Sequence, residues 1–89
     1  MFQDKLANAL KETAELERQL KIVAEDQARL RENLKIVPPT SDPYKKFLDK
    51  FVAQETEIET LQKSLRQAQT TLTNTQRDFD AFVSALNKE

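Results

Sequence analysis

Apolar residues recur every three or four positions along almost the whole chain, and one interruption divides them into two stripes. In the first, one set of heptad core positions holds Phe2, Ala9, Leu16, Val23, Leu30 and Val37, and the other holds Leu6, Thr13, Leu20, Gln27 and Leu34. In the second, Tyr44, Phe51, Ile58, Leu65, Leu72, Phe79 and Leu86 alternate with Phe47, Gln54, Leu61, Ala68, Thr75 and Phe82. Neither stripe skips a heptad. A 3.5-residue apolar period with Glu, Lys, Gln, Arg and Asp between predicts two amphipathic helices with solvated outer faces, over residues 2–36 and 43–88.

The numbers of facing positions add to 81 in eleven consecutive pairs, from Val37 with Tyr44 at the turn to Phe2 with Phe79. A constant sum is the signature of two helices running antiparallel in a single register, each core residue facing a core residue of the other. The predicted fold is all-α: an antiparallel two-helix coiled-coil hairpin spanning residues 1–89 as one unit. Two such hairpins could dimerise into a four-helix bundle. Ala7, Leu10, Ala14, Ala24 and Ala28 flank the seam of the first helix as a shallow second stripe whose small residues would let another helix approach, although alanine is also simply a good helix former.

Residues 37–43 form the predicted turn, and all three prolines lie in it, at 38, 39 and 43. Proline lacks an amide hydrogen and disfavours helical geometry in the residue before it, so the first helix should stop near Lys35 or Ile36. Asp42 is the expected cap of the second helix, with Pro43 at its first position. The turn end gathers Ile36, Val37, Pro38, Pro39, Tyr44, Phe47, Leu48, Phe51 and Val52. These read either as a plug closing the coil or, where Leu48 and Val52 leave the seam, as a docking knob.

Two glutamines occupy core positions, and the register sets Gln27 opposite Gln54. Two amides can satisfy one another in a dry seam, and a shifted register would bury each against leucine at about 1 to 3 kcal/mol per unpaired group. The pair therefore reads as a register lock; the alternative is a wet seam in which both tolerate exposure. On the flanks, Lys5 with Asp78 is an expected ion pair and Asp26 near Glu57 an expected like-charge contact.

Past Phe79 the stripe continues through Phe82, Val83 and Leu86, with no residue of the first helix in register to cover them. The expectation is that the chain is a piece of a longer protein or that these residues meet a second copy. They join Leu48 and Val52 as candidate partner-binding residues.

Composition narrows the chemistry. The 89 residues include no histidine, cysteine or glycine. The commonest general base, the reactive thiol and the usual zinc ligands are therefore missing, as are glycine-rich phosphate loops. Carboxylate clusters such as Glu55, Glu57 and Glu59 spread around a helix as a solvated face. No catalytic, metal or cofactor-binding residue is expected, and an enzyme is not. Fourteen basic and 15 acidic residues are intermixed, giving net charge −1, so no basic stripe exists for nucleic acid and no basic face for a membrane surface. No small-molecule substrate is indicated either.

The run Gln27-Ala28-Arg29-Leu30-Arg31-Glu32-Asn33-Leu34, then Tyr44, Gln54-Glu55 and Ile58-Glu59-x-Leu61 after the turn, resembles the distal coiled-coil segment of large bacterial proteins of the mucoidy-inhibitor type. Pro38-Pro39 departs from that pattern. The resemblance implies a helical module in a longer chain of the bacterial cell envelope, with no enzymatic residue to carry over. The function expected is a structural or oligomerisation coiled coil mediating protein–protein contacts, by self-association or with the remainder of a parent chain. The alternative is a freestanding hairpin adaptor that binds a partner through its aromatic tip or the 79–86 segment.

Overall fold

The computed structural model describes residues 2–87, apart from the side chain of Phe2. The chain forms an antiparallel helical hairpin of two helices, α1 (Phe2–Ile36) and α2 (Asp42–Leu86). Among the described residues there is no strand. Residue 88, where α2 was expected to end, lies outside the described residues; the last described backbone bonds run from Asn87 N–H to the carbonyls of Val83 and Ser84.

The helices form where heptad spacing aligns the apolar side chains, and α1 ends where Pro38 forbids continuation. A last helical bond, Val37 N–H to Asn33 C=O at 3.3 Å, closes it. The restart differs from expectation. Ser41, not Asp42, caps α2: its Oγ accepts the Tyr44 N–H at 3.3 Å, and its carbonyl accepts the first helical bond, from Lys45 N–H. Asp42 and Pro43 thus occupy the first two helical positions. There an acidic side chain favours the helix dipole, and a missing N–H leaves no bond unmade. Ser41 also donates from both Oγ and N–H to the Pro38 carbonyl, at 2.6 and 3.0 Å, which ties the turn across its prolines.

The chain divides into two compact units, one of Arg18–Gln62 and one of Met1–Glu17 with Lys63–Glu89. In the first, the turn unit, Leu30 is the most buried side chain at 1% exposure, with Gln27 and Gln54 also buried. Leu20, Val23, Leu34, Val37, Tyr44, Phe47, Phe51, Ile58 and Leu61 are half-buried, as their seam positions require. So are Gln19, Asp26 and Asn33, which recur every seven residues beside the seam and show that one flank of α1 is more covered than the periodicity implied. The turn-end cluster splits. Val37, Tyr44, Phe47 and Phe51 pack inward, whereas Ile36, Pro38, Pro39, Leu48 and Val52 are exposed.

In the second unit the buried residues are small: Ala9, Thr13 and Ala68. Thr13 is accommodated because its Oγ1 donates to the Ala9 carbonyl one turn earlier, at 2.9 Å, so its hydroxyl needs no partner across the seam. Leu6, Leu16, Leu65, Leu72, Thr75 and Phe79 are half-buried around them. Burial ends there: every described residue after Phe79 is exposed.

Candidate interaction site

The polar layer of the turn unit is built by residues at neighbouring heptad positions. Gln27 and Gln54 occupy the seam and are 6% and 7% exposed, so each buries an amide there. A buried amide needs partners, and the sequence pointed to the other amide. The structure corrects this. Gln27 Nε2 donates to Glu55 Oε1 at 2.5 Å, and Gln54 Nε2 donates to Asp26 Oδ2 at 2.5 Å. Each glutamine therefore bonds the carboxylate next in sequence to the glutamine it faces. The residue numbers of the two bonds add to 82 and 80, one on either side of the heptad sum of 81, so the crossed pair carries the expected register with different chemistry. A carboxylate is preferred because a charge-assisted bond is stronger than one between two neutral amides. It leaves Gln54 Oε1 buried without a hydrogen-bond partner.

Asp26 gathers the remaining charge. Arg29 donates to Oδ1 through Nε at 3.0 Å and through a terminal guanidinium nitrogen at 2.8 Å, and Lys50 Nζ stands 3.5 Å from Oδ2. Hydrogen bonds from Arg29 and then Gln54, with the charges of Arg29 and Lys50, hold its carboxyl below the ordinary value of 3.8 against the opposing effect of burial. The charges bonded to or adjacent to Asp26 are thus both cationic. The Arg31 guanidinium lies 5.8 Å from the ring centroid of half-buried Phe51, a cation–π contact. Heptad spacing could not show it, because Arg31 sits on a nominally solvated position. The ion pair expected between Lys5 and Asp78 is not among those formed by the described residues; Lys5 instead lines a shallow groove with Asn8, Ala9, Glu12, Thr71 and Thr75.

The five candidate contact residues all present apolar surface to solvent. In the turn unit these are Leu48 and Val52; in the second unit, Phe82 and Val83, with Leu86 the most open at 63%. Leu10, Ile22 and Ile36 are exposed as well, and were signalled only in part: Leu10 by its place beside the seam, Ile36 by its place at the turn. Ile22 was missed, since a lone apolar residue on a polar face carries no periodic signal.

Among the described residues, no three acidic, histidine or cysteine side chains gather where they could hold a metal ion. Among the same residues, no helix is long and apolar enough to cross a membrane. What the arrangement offers is helix surface: apolar side chains at seam spacing, bordered by polar and charged ones. Comparison with protein families, with curated proteins and with solved structures finds no match.

Proposed function

We propose that this protein is a structural coiled-coil hairpin that assembles by helix packing with a second copy of itself and performs no chemistry. The observation that carries the reading is the exposed continuation of the α2 seam. Phe82 and Leu86 keep the heptad spacing of the seam positions before them, and Val83 lies beside them, yet they are 47%, 63% and 36% exposed. Apolar side chains exposed at seam spacing suit another helix of the same pattern. In an antiparallel arrangement of two α2 ends, Phe82 of each copy faces Leu86 of the other, an isologous contact of the kind that closes a dimer. The resemblance of the turn region to mucoidy-inhibitor-type proteins supports placing such a module in an envelope-associated bacterial assembly.

Light-scattering mass across a dilution series, for the full chain and for Phe82→Glu with Leu86→Glu, tests this. The expected result is a dimer that dissociates on dilution, and a monomeric variant of unchanged helicity. A wild-type chain that is monomeric at every concentration, or a variant of unchanged mass, overturns it.

A second reading has its own observation. Leu48 and Val52 lie one turn apart on α2 and are both exposed beside the seam, which suits an adaptor that docks a partner through the turn unit.

A further inference from the structure

The crossed amide–carboxylate layer has a consequence beyond assembly. Gln54 is 7% exposed, and the single hydrogen bond of its side chain is the one it gives Asp26; its Oε1 has no partner. The tolerance of this buried amide in the seam therefore depends on one carboxylate on the opposite helix. That carboxylate is reachable by solvent, with its side chain 31% exposed. The counterpart bond is unlike it: Gln27 donates to Glu55, with no cation bonded to that carboxylate. The two bonds lie on opposite flanks of the seam, since Asp26 and Glu55 occupy the two different heptad positions that border it.

We propose that Asp26 and Gln54 form an acid-sensitive latch that holds α1 and α2 in register within the turn unit, loosened when Asp26 takes up a proton. Ionised Asp26 accepts from Gln54 through Oδ2 and from Arg29 through Oδ1, with Lys50 adjacent, so both oxygens serve as acceptors. A proton on either oxygen converts an acceptor into a donor and removes the negative charge that favours the other bonds. Neutral Asp26 keeps a carbonyl oxygen as an acceptor, so the bond from Gln54 weakens from a charge-assisted to a neutral one, while the bonds from Arg29 lose the charge that favours them. The groups that act on Asp26 are Arg29 on its own helix and Gln54 and Lys50 on α2, and both charged ones are cations that favour its ionised form. Because the folded value lies below 3.8, the stabilisation is complete above that pH and is lost as pH falls through the lower folded value.

The test pairs carboxyl NMR titration of the full chain with melting between pH 7 and pH 2, for wild type, Gln54→Leu and Asp26→Asn. The expected titration of Asp26 lies below 3.8 in wild type and moves upward in Gln54→Leu. The acid-induced fall in melting temperature shrinks in both variants. An Asp26 titration unmoved by Gln54→Leu overturns the latch, and so does an acid-induced fall in Asp26→Asn as large as in wild type. Arg29→Gln separates the latch from the local ion pair: it raises the Asp26 value while leaving a further rise on addition of Gln54→Leu.

Discussion

Gln54 gives its amide to Asp26 at 2.5 Å and not to Gln27, the residue it faces in heptad register. This one bond changes what the polar layer does. Two amides bonded only to each other would rise and fall together, whereas two amides bonded to separate carboxylates are supported independently.

Replacement of Gln27 alone is therefore expected to be harmless or stabilising. Gln27→Leu leaves the Gln54–Asp26 bond in place and frees Glu55, whose exposed side chain regains water. An amide is exchanged for apolar burial in the seam, a change that is often neutral or favourable for buried polar groups. Thermal melting followed by circular dichroism at neutral pH should show a melting temperature equal to or above wild type. A clear decrease would show that Gln54 relies on Gln27 after all.

The cap of α2 gives a second contrast. Ser41→Ala removes the acceptor of the Tyr44 N–H and the donor to Pro38, and should cost about 1 kcal/mol. That corresponds to a melting temperature lower by roughly 4 to 8 °C for a chain of this size. Asp42→Ala loses only a dipole interaction of about 0.5 kcal/mol, which salt screens. Melting both variants in low and high salt separates the roles: the Ser41 deficit persists while the Asp42 deficit fades.

A third contrast lies within the turn unit. Leu30 is 1% exposed, and Leu30→Ala should cost about 2 to 5 kcal/mol, with the upper part of that range reached where the neighbouring side chains cannot collapse into the space. Leu48→Ser with Val52→Ser should change stability by less than about 0.5 kcal/mol per site, since both residues are solvated in the folded chain. Urea unfolding reads both. A large loss from the second pair would show that these residues are covered in solution and would remove them as a docking surface.

How much of this molecule could be read from its sequence follows from which interactions are periodic. The end of α1 at Ile36 was legible because proline acts on its immediate neighbour, through a missing donor and a steric clash that need no tertiary context. The choice between Ser41 and Asp42 as cap was not. Both residues suit the role, and the turn geometry that places the Pro38 carbonyl against Ser41 selects between them. The exposure of Leu48 and Val52 followed from their heptad positions; that of Ile36 did not, because a residue at a helix end can turn either way.

The sequence by itself determined the two helices, their antiparallel pairing and the register. These arise from one repeated physical demand, that apolar side chains at a fixed spacing leave water together. Tertiary structure decided the polar partners. An amide or carboxylate at the edge of a seam can reach several acceptors or donors within one helical turn, and the choice depends on distance and charge at the site. Asp26 was assigned Glu57 by spacing but is held by Arg29, Gln54 and Lys50, and Gln54 is left with its oxygen unpaired, because a charged acceptor outweighs a neutral one once both helices are in place.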